Sequence, residues 1–569
     1  MTLRDEITVT VSGGSLDSQV GAALEHMIAE RFAERLWARE GSLFGGSPER
    51  AVVVENRLGW LDGPQWLREH VDELTNFARE IGRSGFTSVV LLGMGGSSLC
   101  PEVLSHVFGL PAGLRTFAIV DATDPATILR VEAEIDLAHT LFIVASKSGG
   151  TTETRSQAAY FFERLQSLGL AAGPNFIAIT DSSSSLERWA EEAGFRRVFL
   201  NPGDIGGRYS ALFCFGMVPG SLLGLPLGDL ARRSALLAGR LAASTPENPG
   251  LRLGACIGAA ARAGRDKLTF VTGPGTAPII PWIEQLVAES TGKEGTGIVP
   301  IEAEPEGRFE AYGTDRLFCF VDFEGEKPAS KLALQVKASG SPHVEVRLSG
   351  KADLGALFLL WEFAVSASGF LLGINPFDEP NVQESKDNTN LLLAGYDASG
   401  AFSEPPPQTR TDAFDITVAG SPARTAEDLI ARFHAALSPG DYLAFLYFAD
   451  RNAGAEALLS SLRALVRDHR HLATLRGYGP RFLHSIGQLY KGGRPNGHFV
   501  LFTADTPRDL PIAGSRHGFA ALLRAQALGD FEALAGRGRP VLRVHLKGEA
   551  PRALAAFTET WKQAVAAVG

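Results

Sequence analysis

Cysteine is scarce in this sequence, with four residues in a chain of 569: Cys100, Cys214, Cys256 and Cys319. They stand far apart in apolar segments, and none belongs to a CxxC pair. This pattern excludes a zinc ribbon and a disulfide framework, and it is typical of buried thiols in a reducing compartment. A signal peptide is also missing, because the opening MTLRDEITVTV has neither a basic segment nor an apolar core. We therefore expect a cytoplasmic protein.

Metal-binding histidine pairs and excess positive charge are absent as well. None of the 12 histidines stands in an HxxxH or HExxH pair, so we expect no metal site. The formal net charge of -10 and the isoelectric point near 5.7 argue against a nucleic-acid-binding surface. The sequence therefore favours a small-molecule partner over a nucleic acid.

One hydrophobic run, residues 354–373, is long enough to span a membrane as a helix. Glu362 lies at its middle, where a carboxylate costs roughly 2.5 to 3.5 kcal/mol on insertion scales. No second run of this kind accompanies it. We therefore expect a buried helix of an α/β domain and no membrane partner.

Apolar strands alternate with helical stretches along most of the chain, and this alternation predicts parallel, doubly wound α/β sheets. At 569 residues the chain is too long for a single core. We predict an N-terminal helical extension (residues 1–84), a first α/β domain (85–250), a second one (251–402) and a C-terminal α/β domain (412–569). The Pro-rich stretch SEPPPQTRT, residues 403–411, is interpreted as the linker before the last domain.

The segment LFIVASKSGGTTET, residues 141–154, combines a buried strand with a loop suited to anions. Its first five residues form a continuous apolar run, as in a strand that is buried on both faces. Two glycines, several hydroxyls and the start of a helix follow, and such loops bind phosphate at the carboxyl ends of strands. The pattern predicts a phosphorylated small molecule as ligand, and the alternative is a capped turn without a ligand.

A second glycine loop, GMGGSS at residues 93–98, is similar to a dinucleotide-binding fingerprint. Asp121 follows the next strand, where a ribose-binding acid would stand. The third glycine of the fingerprint is replaced by Ser98, and neither loop is followed by the Lys-Ser or Lys-Thr of a Walker A motif. An NAD-dependent oxidoreductase therefore remains an alternative with weak support.

Three further motifs carry a specific resemblance. They are GGRYS at residues 206–210 with Asp204 before it, AESTGK at residues 288–293, and INPFDEPNVQESK at residues 374–386. In this order, together with the two glycine loops, they resemble the phosphoglucose isomerase family, a branch of the sugar-isomerase (SIS) fold. The two predicted α/β domains would then be SIS domains.

The resemblance covers nearly the whole chain. Residues 35–37, 55–60 and 484–493 are similar to the isomerase half of fused transaldolase and phosphoglucose isomerase proteins. No transaldolase-like barrel precedes them in this sequence, so we expect isomerase activity alone.

The resemblance implies an aldose-ketose isomerase that interconverts glucose 6-phosphate and fructose 6-phosphate through an enediolate, in glycolysis and gluconeogenesis and without a cofactor. Glu289 would be the base that moves the proton, Arg208 would stabilise the enediolate oxygens, and Lys386 would act at the sugar end. Residues implied in substrate binding are Gly95, Gly96, Ser97, Ser146, Lys147, Ser148, Thr151 and Gly207. Mannose 6-phosphate as a further substrate and a non-catalytic sugar-phosphate sensor remain alternatives.

Two departures from the family pattern matter. Glu379 stands where the family has a glutamine, which changes the charge of the cleft. The family's ring-opening histidine comes from the neighbouring subunit of a homodimer, and the matching stretch here, residues 312–318, contains no histidine. We hypothesise that the C-terminal domain folds over the cleft and supplies the missing group, with His484 the first candidate and Lys491 the second. The protein would then be a monomer, whereas a homodimer remains the alternative.

Overall fold

The computed structural model describes residues 7–326, 330–381, 383–418 and 425–566. These residues form three β-sheets, and helices pack on both faces of them. The architecture is therefore the α/β class that the sequence predicts.

The N-terminal segment is mostly helical but also contributes a strand. Its elements are β1 (Thr8–Ser12), α1 (Asp17–Ala29), α2 (Phe32–Trp37), α3 (Pro48–Glu55) and α4 (Gly63–Arg83). Strand β1 pairs antiparallel with a strand more than 300 residues away, with Thr8 opposite Arg347. The predicted helical extension therefore also contains TVTVS, a short edge strand whose partner lies far along the chain.

The first sheet consists of five parallel strands in the order β3-β2-β4-β5-β6. Its strands and helices are β2 (Ser88–Gly93), α5 (Leu99–Phe108), β3 (Thr116–Val120), α6 (Pro125–Ala133), β4 (Thr140–Ala145), α7 (Thr152–Ser167), β5 (Phe176–Asp181), α8 (Ser185–Glu192) and β6 (Arg197–Asn201). Strands β2 and β4 are buried over their whole length, and alternate residues of β2 enter different hydrophobic clusters. Helices therefore cover both faces, as in a doubly wound sheet.

The second sheet has the order β1-β10-β9-β7-β8, and all its pairings except that of β1 are parallel. Three helices precede it: α9 (Cys214–Leu222), α10 (Leu227–Leu241) and α11 (Pro249–Arg262). Its own elements are β7 (Lys267–Thr272), α12 (Ile280–Thr291), β8 (Val299–Ile301), β9 (Arg316–Phe323), α13 (Lys331–Ser339), β10 (His343–Leu348), α14 (Leu354–Leu372) and α15 (Gln383–Ser399).

Helix α14 contains the hydrophobic run of membrane-spanning length. In the described residues, one helix is long and apolar enough to cross a membrane, and 94% of its hydrophobic window is buried inside the protein. It packs against α10, α11 and α12. The helix therefore serves as the core of the second unit, as the position of Glu362 predicts.

The third sheet has the order β11-β12-β16-β15-β13-β14, with β16, β15, β13 and β14 parallel. Its elements are β11 (Thr409–Arg410), β12 (Phe414–Val418), α16 (Ala426–Ala435), β13 (Tyr442–Phe448), α17 (Ala453–Arg470), β14 (Ala473–Tyr478), α18 (Gly487–Gly492), β15 (Gly497–Ala504), α19 (Phe519–Gly536), β16 (Val541–Leu546) and α20 (Ala550–Ala566). The predicted linker is tied to this unit, because Glu404 accepts hydrogen bonds from Arg524 and Arg543.

The C-terminal unit packs against both preceding units. Phe519, Leu522 and Ala525 of α19 join the hydrophobic cluster of the first sheet. Ala288 and Ile301 of the second unit join a cluster that is otherwise built from the third sheet and its helices. The third unit is thereby placed over the junction of the first two. The exact domain boundaries given above stay a prediction.

Candidate functional site

The two glycine loops follow neighbouring strands at the point where the first sheet changes direction. The chain leaves β2 towards β3 on one side and leaves β4 towards β5 on the other. Ligands of open α/β sheets bind at such a switch point, outside the carboxyl ends of the strands. Residues 93–98 and 146–151 therefore stand at the place where this fold binds ligands.

Close backbone approaches explain the glycines of the first loop. A Cβ atom on Gly96 would lie 2.2 Å from the carbonyl oxygen of Gly207, and one on Gly95 would lie 2.4 Å from that of His484. Gly95 also has a φ of +55°, which side-chain-bearing residues rarely adopt. These glycines bring the first loop, the GGRYS loop and a turn of the C-terminal unit together.

The second loop presents hydroxyls and a helix N-terminus to a cavity of about 270 Å³. Ser148, Thr151 and the first turn of α7 line this cavity. Ser146 lies behind them, with its Oγ 2.9 Å from Thr151 Oγ1. The Lys147 ammonium instead pairs with Asp181 and donates to the carbonyl of Gly203 at 3.0 Å. Hydroxyls and backbone N–H groups at a helix start are suited to a phosphate.

Four of the residues predicted to bind substrate, Gly95, Gly96, Ser97 and Gly207, do not line this cavity. Gly95, Gly96 and Ser97 form a tight turn after β2, and Ser97 is buried. Gly207 begins the turn that carries Arg208. Their position shapes the junction of the loops, and a direct contact of each with a ligand stays a prediction.

Arg208 and Glu289 lie next to each other in a buried polar cluster. The guanidinium NH1 atom is 3.5 Å from Glu289 Oε1 and donates to Glu379 Oε2 at 3.0 Å. The other nitrogens donate to Ser290 Oγ at 2.8 Å and to the carbonyl of Pro376 at 2.9 Å. Arg208 is 3% exposed, so its charge is fixed by several segments of the fold at once.

Burial shapes the electrostatics of this cluster. It raises the pKa of the Glu289 carboxyl above its usual value, against the opposing charge of Arg208 and with a contribution from Glu379. Burial and the charge of Arg208 also lower the pKa of Lys293 to about 8, although Asp378 accepts a hydrogen bond from it at 2.8 Å. A carboxylate with a raised pKa next to a permanent cation can act as a base near neutral pH.

His484 enters the same region from the C-terminal unit. Its Nε2 atom is 2.8 Å from Glu153 Oε1, and its ring lines the 270 Å³ cavity together with Lys386. No described residue makes a hydrogen bond to its Nδ1 atom. The backbone carbonyl of His484 accepts from Gln285 Nε2 at 2.9 Å, and the same nitrogen donates to Glu289 Oε2 at 3.0 Å.

Lys386 and Lys491 differ in their surroundings although both line the cavity. Lys386 is exposed, on the first turn of α15. Lys491 is buried and pairs with Asp530 at 2.6 Å. The ammonium of Lys491 is therefore engaged in a buried ion pair, whereas Nδ1 of His484 makes no hydrogen bond to a described residue.

Sequence analysis did not single out Glu153, Gln285 and Gln526. Glu153 lies inside the loop segment SKSGGTTET, and its position in the first turn of α7 is a local feature that could have identified it. Gln285 stands one helical turn before Glu289 on the same face of α12. No local sequence feature identifies Gln526, which lies within the long, largely apolar helix α19. Asp121, the proposed ribose acid of the dinucleotide alternative, pairs with Arg481 at 2.6 Å.

A family model described as phosphoglucose isomerase matches residues 68–227 of this chain. The glucose-6-phosphate isomerase of Thermosynechococcus vestitus is 27% identical over 68% of this chain and 84% of its own length. That of Geobacter sulfurreducens is 27% identical over 69% of this chain and 86% of its own length.

Two solved structures share the fold. A hypothetical protein from Thermus thermophilus is 24% identical with a TM-score of 0.57, and it aligns over 68% of this chain and all of its own. A glucose-6-phosphate isomerase from Chlamydia trachomatis is 20% identical with the same TM-score of 0.57, over 70% of this chain and 90% of its own.

Together, the parallel sheets and the loops at their switch point give this chain the α/β fold that these two structures share. The predicted resemblance to the phosphoglucose isomerase family and the predicted α/β fold class are confirmed by these similarities.

Proposed function

We propose that this protein interconverts glucose 6-phosphate and fructose 6-phosphate through an enediolate, and so acts in glycolysis and gluconeogenesis. The observation that carries the proposal is the buried carboxylate of Glu289, 3.5 Å from the guanidinium of Arg208. This pair matches what a carbonyl shift between C1 and C2 needs: one base and one fixed positive charge. The similarity to glucose-6-phosphate isomerases supports the same reaction.

Glu289 takes the proton from C2 of the open-chain aldose and returns it to C1 of the enediolate. Its raised pKa suits this task, because the carboxylate must accept and release a proton with little bias. Arg208 stabilises the negative oxygens that develop in between, and its fixed hydrogen bonds remove the need for reorganisation during the reaction. No step requires a cofactor.

The phosphate of the substrate binds at the second glycine loop. Ser148 and Thr151 lie on the cavity wall beside the N-terminus of α7, where hydroxyls and backbone N–H groups can converge on an anion. Ser146 orients Thr151, while Ser97 and the adjacent glycines form the opposite side of the loop junction. Lys147 contributes positive charge from behind the loop, shared with Asp181.

His484 opens the sugar ring with Glu153 as its partner. The carboxylate holds the Nε2–H of the imidazole, which leaves Nδ1 to exchange protons with the ring oxygen or the anomeric hydroxyl. Lys386 lies in the same cavity and can assist at the ring oxygen. The group that the family takes from a second subunit thus comes from the C-terminal unit of the same chain.

This arrangement implies a cleft that one chain completes by itself. We therefore propose a monomer active in the cytoplasm, with sugar phosphates as its small-molecule partners. Sedimentation of the active protein tests the first point: full specific activity in a species of monomer mass is expected. Activity confined to a dimeric species would contradict it.

The reaction itself is tested by a coupled assay for the conversion of fructose 6-phosphate, with and without EDTA. Activity that survives chelation and falls by at least about a thousandfold in Glu289→Gln is expected, because the base is lost while its shape is kept. Glu284→Gln, on the same helix, is the matched control. Full activity of Glu289→Gln would overturn the assignment of the base.

Ring opening is tested separately through the exchange of the α and β anomers of glucose 6-phosphate, measured by NMR. Anomer exchange needs ring opening and closure but no proton transfer at carbon. We expect Glu289→Gln to keep this exchange and His484→Ala to lose it, while an open-chain substrate is still isomerised by the His484→Ala protein. Equal rates of His484→Ala and wild type on both substrates would refute the role of His484.

A further inference from the structure

Glu153 receives a second hydrogen bond from the C-terminal unit, beside the one that links it to His484. Gln526, on α19, donates from Nε2 to Glu153 Oε1 at 2.6 Å. Both side chains are buried, since Gln526 is 3% and Glu153 is 5% exposed. A buried amide that points at a buried carboxylate is a defined contact and not a chance encounter of surface groups.

The amide of Gln526 is anchored between Glu153 and Thr123. An ionised carboxylate can only accept, so the NH₂ group faces Glu153. The hydroxyl of Thr123 donates to the remaining amide oxygen, Oε1, at 2.7 Å. Thr123 follows strand β3 and is itself fully buried, so the anchor belongs to the first sheet unit.

The consequence concerns the charge and the position of Glu153. A hydrogen bond donated to a carboxylate is stronger when the carboxylate is ionised, so Gln526 favours the anion. Both donors also meet the same oxygen, Oε1, which fixes the carboxylate between them. Without Gln526 the carboxylate keeps only the hydrogen bond with His484 at Oε1.

We propose that Gln526 is a positioning residue for ring opening, which keeps Glu153 ionised and aligned so that the Nε2–H of His484 stays bound and Nδ1 faces the sugar. This rests on the ring-opening role proposed above for His484. Gln526 and His484 both belong to the C-terminal unit, so this unit supplies the acid-base group together with the donor that orients its partner.

The test uses Gln526→Met, which keeps the length of the side chain and removes its donor. We expect anomer exchange of glucose 6-phosphate to slow about tenfold, with KM nearly unchanged. The acid limb of its pH profile should move to higher pH, because Glu153 then protonates more readily. Thr123→Val should shift the profile in the same direction, whereas Thr123→Ser keeps the hydroxyl and should match the wild type.

Three outcomes separate this proposal from the proposed function. Loss of exchange in His484→Ala, with wild-type rate and pH profile in both Gln526→Met and Thr123→Val, would overturn the role of Gln526 alone. Unchanged exchange in His484→Ala would overturn the ring-opening assignment itself. If Gln526→Met does not fold, Thr123→Val and Thr123→Ser decide the question, and equal pH profiles of the two would refute the proposal.

Discussion

Arg481 links the turn that carries His484 to the first sheet unit through two ion pairs. Its removal should therefore detach this turn from the cleft. Its NH1 atom is 2.6 Å from Asp121 Oδ2, and NH2 pairs with Glu102. All three side chains are largely buried, at 14%, 14% and 19% exposure. In Arg481→Met this cation is lost, and two buried carboxylates lose their ion-pair partner.

The expected cost follows from this geometry. Removing one partner of a buried ion pair costs about 3 to 5 kcal/mol, mostly because the remaining charge is left unpaired. Burial raises the pKa of Asp121, which Arg481 opposes, so the loss of the arginine raises it further. The penalty should therefore shrink as the pH falls and the carboxyls become neutral.

Hydrogen exchange of the amides at residues 481–490 measures the effect. A loss of about 3 kcal/mol corresponds to roughly a hundredfold faster exchange of these amides at pH 7. Anomer exchange of the substrate should fall in parallel, since His484 leaves Glu153. Arg196→Met, which breaks the more exposed pair with Glu80, is the control and should cost less than about 1 kcal/mol.

A neutralised variant provides the decisive comparison. Arg481→Met combined with Asp121→Asn and Glu102→Gln removes both carboxylates that pair with the arginine, so its exchange should return most of the way to the wild-type rate. Unchanged exchange in Arg481→Met alone would refute the reasoning, because the turn would then be held by packing and not by this contact.

Three further predictions concern other parts of the cleft and core. Glu379→Gln removes a negative charge beside Glu289, so it lowers the pKa of that base and should move the acid limb of isomerisation to lower pH. Gly96→Ala places a Cβ 2.2 Å from a backbone carbonyl, so it should lower the free energy of unfolding by about 1 to 3 kcal/mol and remove most of the activity. Its control is Gly82→Ala, which has open space around the new Cβ and should change the free energy of unfolding by less than about 1 kcal/mol. Glu362 has a pKa raised by burial, so the native state keeps a proton above pH 4.5 that the unfolded state releases. Wild-type stability should therefore fall with rising pH by up to about 1.4 kcal/mol per unit in that range, and urea titrations of Glu362→Gln should show a smaller fall.

The strands of the first sheet could be predicted because their information is local. Runs such as VVLLG and LFIVA are continuous, are followed by glycine-containing loops, and are too short for helices. Strand β1 could not be placed in the same way. It has only five residues, and its partner β10 lies more than 300 positions later, so the pairing is decided by tertiary contacts.

The candidate site shows the same difference between residues found from local motifs and residues found only from tertiary contacts. Arg208 and Glu289 stand in motifs, and a resemblance can carry them over one residue at a time. The contact of Glu153 with His484 spans 331 positions, and that with Gln526 spans 373. Sequence reasoning nominated the histidine because a group was missing from the cleft, but it had no means of finding the carboxylate and the amide that give the imidazole its orientation.

The two chemical steps of the proposed reaction are joined through one side chain. Gln285 Nε2 donates both to Glu289 Oε2 and to the backbone carbonyl of His484. Gln285 thus fixes the position of the base, Glu289, relative to the turn that carries His484, although the two come from different units. Gly95 permits this, since any side chain there would collide with the same carbonyl of His484. A ring-opening group can therefore be supplied by an added domain only if the position beneath its backbone carbonyl is a glycine.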